Sequence, residues 1–70
     1  MPDTFGGRLR ELRQKRGLTL TAVGSVLGTS KQALSQIEKD KYMPNPHILV
    51  ALADFYDVSL DYLYGRLASK

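Results

Sequence analysis

Apolar residues recur along this chain at spacings of three and four positions, the period of a helix with one buried face. In the first segment Phe5, Leu9 and Leu12 fall at i, i+4 and i+7. No segment alternates apolar and polar residues as a half-buried strand does. The pattern therefore predicts an all-α fold.

Five helices fit this pattern, and a residue that can cap a helix precedes each of them. They are expected at residues 4–16, 20–27, 31–38, from 46 onwards, and from 60 to 64. Their caps are Asp3 or Thr4, Thr19, Ser30, Asn45 and Ser59. Asn45 is a strong start signal because proline, favoured at the first helical position, follows it.

The last two helices have apolar residues at helical spacing. The expected buried face of helix 4 consists of Ile48, Leu49, Leu52 and Phe55. In helix 5, Leu60 and Leu63 are expected to point inward before Gly65 ends the helix, with Tyr64 as a further candidate for that face. Connections of two to seven residues leave no room for a second domain. We expect residues 1–67 to form one domain, with 68–70 as a short tail.

Residues 18–39 predict two short helices joined by a tight turn. Gly28 follows the last turn of helix 2, where a positive φ lets the chain reverse sharply. Gly24 lies inside helix 2, where glycine costs stability, so we expect helix 3 to approach closely there. The apolar residues that build the angle between the helices are Val23, Leu27, Leu34 and Ile37. This is the pattern of a helix-turn-helix that binds DNA.

The outward side of helix 3 carries four polar residues and no acidic one, namely Lys31, Gln32, Ser35 and Gln36. Glutamine can bond to N6 and N7 of adenine, and lysine can donate to O6 and N7 of guanine. We expect these four side chains to contact base edges. The alternative is a merely solvated polar face.

Phosphate contacts are expected from residues beside the two helices. Thr19 and the first amides of helix 2 form an anion site, because a helix N-terminus carries unsatisfied N–H groups and a positive dipole end. The other expected phosphate contacts are Ser30, Lys39, Lys41 and Tyr42. On helix 1, the basic residues Arg8, Arg10, Lys15 and Arg16 are expected to be solvated charges.

Glu38 near the end of helix 3 would repel a phosphate backbone. It therefore needs a cation, and Arg13 on helix 1 is the candidate. We expect this pair to have the structural role of tying helix 1 to helix 3.

The length and composition of the chain bear on its stability and exclude disulfides and some kinds of metal site. A chain of 70 residues buries only about 60% of its unfolded surface, so its stability should be marginal. The absence of cysteine and the single histidine exclude disulfides and a zinc site built from these residues, and no cofactor is expected.

The start Met1-Pro2-Asp3 does not resemble a signal peptide, and no apolar run is long enough to span a bilayer. We therefore expect a cytoplasmic protein without a membrane partner.

The net charge of +3 is unevenly distributed. Residues 1–41 contain eight basic and four acidic side chains, whereas residues 42–70 contain two basic and three acidic ones. The basic part coincides with the predicted helix-turn-helix, as expected if that part faces a polyanion.

These residues together resemble the phage repressor/Cro group of helix-turn-helix regulators, also called the xenobiotic-response-element type. The matching segments are L-R-E-L-R at 9–13, G-L-T at 17–19, the helix-turn-helix, Ser35 to Glu38, Pro44, and V-S-L-D-Y-L-Y-G at 58–65. The resemblance implies a five-helix fold whose second and third helices dock on DNA, with base contacts from Lys31, Gln32 and Gln36. It also implies the link between Arg13 and Glu38.

The chain departs from the family pattern at three positions. Leu20 stands where the family often has a glutamine that bonds both a phosphate and the third helix. Asp40 replaces a common glycine, so it would have to adopt the left-handed turn. Thr29 replaces a hydrophobic residue, which should loosen the packing of the turn slightly.

Our leading hypothesis is a sequence-specific repressor that binds double-stranded DNA as a homodimer at an inverted repeat. Tyr62, Tyr64 and Leu67 are the expected dimer surface. An antitoxin or a restriction-modification controller of the same fold stays open as an alternative. An antirepressor or a toxin also stays open as a protein partner. A helical interaction adaptor without DNA binding stays open as well. No small-molecule site is evident, and no catalytic set of residues suggests an enzyme.

Overall fold

Each helix begins at a side-chain oxygen that accepts a hydrogen bond from the backbone N–H three residues later. The computed structural model describes residues 3–66, and this part contains five α-helices and no strand. They are α1 (Phe5–Lys15), α2 (Leu20–Leu27), α3 (Lys31–Glu38), α4 (Pro46–Tyr56) and α5 (Leu60–Leu63). The capping oxygens belong to Thr4, Thr19, Ser30, Asn45 and Ser59, each 3.0 Å from its donor nitrogen. The predicted helices and caps are confirmed, with Thr4 rather than Asp3 capping α1.

Two aspartates adopt the left-handed conformation at helix ends, Asp40 with φ 61° and Asp57 with φ 55°. After α3, the N–H of Asp40 bonds to the carbonyl of Ile37, and the N–H of Lys41 bonds to the carbonyl of Gln36, both at 3.0 Å. This pair of bonds satisfies two carbonyls that the helix end leaves open. Asp40 thus takes the left-handed position, as the sequence predicts.

The core lies where all five helices meet. Its least exposed large side chains, each at most 1% exposed, are Leu9, Val23, Leu52, Tyr62 and Leu63. Both α1 and α2 pack on α3, while α4 packs on α2 and α5, and α5 also contacts α1. The predicted inward residues of the first three helices are buried or partly buried. The helix-turn-helix is therefore held from behind by α1 and α4.

The buried face of α4 contains the four predicted residues and extends beyond them. Leu52 lies in the core, and Ile48, Leu49 and Phe55 are partly buried against it. Tyr56 is only 2% exposed, whereas Phe55 is half-buried at the rim of the core. Leu52 and Tyr56 are four positions apart and lie on one face, and Ala53 beside them is buried too. Phe55 packs edge-on against the Tyr56 ring, with the ring centroids 4.9 Å apart. The core face of α4 is thus rotated toward Tyr56.

Helix α5 also corrects the sequence prediction. Tyr62 is fully buried in the core, so its assignment to a dimer surface is wrong. Tyr64, a candidate both for the inward face and for the dimer surface, is 49% exposed, with its ring centroid 5.3 Å from that of Phe5. Leu67 and the tail 68–70 lie outside the described residues. Of the predicted dimer surface, only Tyr64 is described at the surface.

Two further findings concern residues 3–66. No helix in this part of the chain has both the length and the apolar character that crossing a membrane requires. No group of three acidic or histidine side chains there is arranged to hold a metal ion.

Candidate nucleic-acid interface

The turn between α2 and α3 depends on two glycines. Gly28 ends α2 with φ 71°, and its N–H bonds to the carbonyl of Gly24. A Cβ on Gly24 would lie 2.5 Å from the carbonyl oxygen of Thr29. The close approach predicted at Gly24 is therefore present, but the approaching group is the turn backbone just before α3. Any side chain at Gly24 would push the start of α3 away from α2.

Helix α3 separates its apolar and polar residues cleanly. Leu34 and Ile37 are 2% and 3% exposed and face the core. On the opposite side, Lys31, Gln32 and Gln36 are exposed and Ser35 is half-exposed. We call these last four residues the reading face.

Helix α2 adds one residue to the surroundings of the reading face. Leu20, the first residue of α2, lines a shallow concavity together with all four reading-face residues. We call this surface the α2–α3 concavity. The structure thus brings together the four side chains that the sequence assigns to base contacts.

The predicted phosphate ligands form two groups, one at the N-termini of α2 and α3 and one in the segment that follows α3. Thr19 and Ser30 are exposed, and each hydroxyl oxygen accepts a capping bond from a backbone N–H. Because the capping bond uses the oxygen as acceptor, each O–H remains available as a donor to an anion. Both hydroxyls therefore lie at helix N-termini and can each donate a hydrogen bond.

The second group follows α3. Lys39 and Lys41 are exposed, and neither forms an ion pair within residues 3–66. Tyr42 is 47% exposed, and its hydroxyl donates to the carbonyl of Ala33 at 3.4 Å. The lysines can reach an anion directly, whereas the Tyr42 hydroxyl would first have to leave that carbonyl.

Arg13 and Glu38 form the predicted ion pair between α1 and α3. The Arg13 Nε donates to Glu38 Oε2 at 2.8 Å and its Nη2 donates to Oε1 at 3.1 Å, a bidentate arrangement. The third nitrogen, Nη1, donates to the carbonyl of Leu18 at 2.9 Å. The hydrogen bond to Glu38 raises the pKa of the Arg13 guanidinium, although burial opposes that rise. The carboxylate is thus neutralised within the chain.

This geometry agrees with the comparisons to known proteins. The helix-turn-helix family model matches residues 9–63, which is most of the chain. The chain belongs to the helix-turn-helix family. Among its relatives, the HTH-type transcriptional regulator ImmR of Bacillus subtilis (strain 168) is 38% identical over 63 residues. That match covers 90% of this chain and 50% of ImmR, so the chain spans about half the length of that relative.

Phage repressors of the helix-turn-helix family match in sequence and in structure. The repressor protein C2 of Salmonella phage P22 is 38% identical over 59 residues, 84% of this chain and 27% of the repressor. The crystal structure of the P22 c2 repressor with synthetic operator 9T superimposes with a TM-score of 0.84 and 35% identity. The superposition covers 90% of this chain and 96% of that one. The all-α helix-turn-helix fold and the likeness to phage repressors are thereby confirmed.

Two arginines of this helix-turn-helix chain have structural contacts that sequence analysis missed. Arg16 donates from Nη1 to the carbonyl of Phe55 at 3.0 Å and from Nη2 to that of Tyr56 at 2.8 Å. Its guanidinium also lies 5.4 Å from the Tyr56 ring centroid. Arg8 donates to the carbonyls of Asp3 at 3.2 Å and Leu63 at 3.5 Å. Both were expected to be solvated charges, and no local pattern marks their distant partners.

Two further electrostatic features are an ion pair of Lys15 and a raised pKa of Tyr56. Lys15 lies 3.6 Å from Glu11, a pair at i and i+4 that the helical spacing could have indicated. Burial raises the pKa of Tyr56 to about 12, and the nearby Glu38 carboxylate adds to the rise. Tyr56 therefore belongs to the core behind the helix-turn-helix, whereas Lys15 lies on the exposed surface of α1.

Proposed function

We propose that this chain is the DNA-binding unit of a sequence-specific transcriptional repressor, with α3 in the major groove of double-stranded DNA. The observation that carries the proposal is the convergence of Lys31, Gln32, Ser35 and Gln36 on one exposed face of α3. These side chains offer the hydrogen-bond donors and acceptors that distinguish base pairs from the major-groove side. No acidic side chain lies among these four residues. Glu38, further along α3, is bonded to Arg13.

The groups around the reading face suit the phosphate backbone. The N-termini of α2 and α3 each present unsatisfied amides and a capping hydroxyl, from Thr19 and Ser30. Lys39 and Lys41 add positive charge just after α3. Such contacts fix the position of a protein on DNA, while the reading face selects the sequence. The structural match to a repressor bound to its operator supports this arrangement.

We further propose that the regulator binds an inverted repeat as a homodimer. One reading face of four residues covers only a few base pairs, so a second copy doubles the sequence that is read. The half-exposed Tyr64 on the ring of Phe5, together with Leu67, is our proposed contact between the copies. Half-sites about one helical turn apart are expected from this arrangement.

Selection of bound duplexes from a random DNA library tests the function. We expect enrichment of one sequence with twofold symmetry and a fixed spacing. The double variant Gln32→Ala/Gln36→Ala should lose this enrichment, because it removes two base-reading amides from an exposed surface. Gln14→Ala is the matched control, since Gln14 is an exposed glutamine on α1. Failure of the wild-type chain to enrich any sequence would refute the proposal.

A further inference from the structure

One apolar side chain lies within the polar surface assigned to DNA. Leu20 packs partly against the core and also lines the α2–α3 concavity beside the reading face. It lines a second concavity as well, in which Arg10 and Lys39 are exposed. Ser35 is the one other residue that lines both concavities. Leu20 and Ser35 therefore form the ridge between the two.

The position of Leu20 decides what it can contact. As the first residue of α2 it directly follows Thr19, whose hydroxyl caps the helix, so it lies beside the proposed backbone contact. On its other side the α2–α3 concavity brings it to the amides of Gln32 and Gln36. A duplex whose base edges reach those amides would place a base-pair edge against Leu20. The side chain of a leucine, unlike its backbone N–H, can neither donate to a phosphate nor form a hydrogen bond with a base edge.

Major-groove edges offer one apolar group to such a side chain. Thymine carries a C5-methyl group there, and the other three bases carry none. Covering that methyl with an aliphatic side chain removes apolar surface from water on both partners. We propose that Leu20 is a specificity-determining residue that recognises the C5-methyl group of a thymine in each half-site. This inference rests on the proposed function, since it requires α3 to lie in the major groove.

Deoxyuridine tests the inference, because it lacks only the C5-methyl group and keeps the pairing edge of thymine. Each thymine of the selected half-site is replaced in turn, and dissociation constants are measured by fluorescence anisotropy at one salt concentration. For the wild type we expect about a fourfold loss of affinity at one thymine, the effect of one buried methyl-sized group. In Leu20→Ala the loss at that position should disappear, while losses at other positions stay.

Two features keep the test decisive. The ratio of affinities for thymine and deoxyuridine is taken within each protein, so a partly unfolded variant does not distort it. Leu27→Ala is the matched control, because Leu27 is a half-buried leucine at the other end of α2 and should leave every ratio unchanged. Leu20→Gln replaces the branched apolar group by an amide, so it should also remove the preference for thymine over deoxyuridine at that position.

The outcomes separate this inference from the proposed function. If the wild type binds its selected sequence but no thymine shows a loss that depends on Leu20, the inference is wrong and the function stands. If Leu27→Ala changes the ratio as much as Leu20→Ala, the effect comes from α2 packing and the inference is also wrong. If no sequence is selected, both fail.

Discussion

Asp40 caps helix α1 from a position 34 residues away in sequence: its Oδ1 accepts a hydrogen bond of 2.8 Å from the N–H of Gly6. The same residue reverses the chain after α3 in the left-handed conformation, with φ 61°. An aspartate is therefore suited to this position for two reasons. It tolerates the left-handed turn better than most residues do, and its carboxylate lies at the positive end of the α1 dipole.

We predict that Asp40→Ala lowers the free energy of unfolding by about 2 kcal/mol, from loss of a helix cap and from the left-handed conformation that alanine disfavours. Asp40→Asn should stay within about 0.5 kcal/mol of the wild type, because asparagine retains both the acceptor oxygen and the left-handed tolerance. Urea unfolding of the three proteins measures this. Equal stability of the alanine and asparagine variants would contradict the assignment.

For Gly6→Ala we predict a change in stability opposite to the one that helix propensity alone indicates. In an exposed helix, glycine to alanine stabilises by about 1 kcal/mol. At this position a Cβ would collide with the carbonyl oxygens of Ile37 and Glu38, the latter at 2.5 Å. Both are backbone atoms that cannot turn aside, so Gly6→Ala should lower the urea midpoint. A raised midpoint would show that α1 can move away from α3 without loss.

The sequence was sufficient for features that depend on neighbouring residues. Thr19, Ser30 and Asn45 cap their helices as predicted, because a cap and its N–H donor are three residues apart. The exposure of the reading face follows from helical spacing in the same way. The pair of Arg13 and Glu38 was also predictable, since a carboxylate beside the expected phosphate contacts requires a cation.

Other features that join distant segments were not predictable from local patterns. Gly6 lies in the first turn of α1, where glycine has a low helix propensity, and only the docking of α1 on α3 explains its lack of a side chain. Arg16 looked like a solvated charge, but the end of α4 offers it two carbonyls. Tyr62 lies on a four-residue helix, which is too short for a periodic pattern to show which side is buried.

Tyr62 provides a second stability test. Its side chain is fully buried, and its hydroxyl has no hydrogen-bond partner among residues 3–66. A buried hydroxyl without a partner costs about 1–3 kcal/mol. We therefore predict that Tyr62→Phe unfolds at the same urea concentration as the wild type or at a higher one. A loss above about 1 kcal/mol would mean that the hydroxyl is bonded in the folded protein.

The raised pKa of Tyr56 predicts loss of stability at alkaline pH. Its pKa is about 12 in the folded chain and 10.0 for an unperturbed tyrosine. Below pH 10 both states keep the proton, so the stability is fully present there. As the pH rises from 10 to 12, the unfolded chain ionises first and stability is lost.

Urea midpoints at pH 9 and pH 11.5 measure this loss. Tyr56→Phe should show a smaller decrease between the two pH values than the wild type. Tyr42→Phe serves as control for the loss of a tyrosine hydroxyl at an exposed position. An equal decrease in the wild type and in Tyr56→Phe would exclude Tyr56 as its source.

The last prediction separates base contacts from phosphate contacts. Gln32→Ala should cost about 1–3 kcal/mol on the selected operator and little on random DNA, because it removes a base contact. Lys39→Ala should weaken binding to both DNAs equally and make the slope of log K against log salt shallower by about 1. The wild-type slope should be near −4 to −5 per monomer if four to six phosphates are contacted.

Lys15→Ala is the matched control, because Lys15 pairs with Glu11 on α1 and should leave the slope unchanged. A flat salt response of the wild type would rule out the proposed backbone contacts, and an equal effect of Gln32→Ala on both DNAs would remove Gln32 from the reading face.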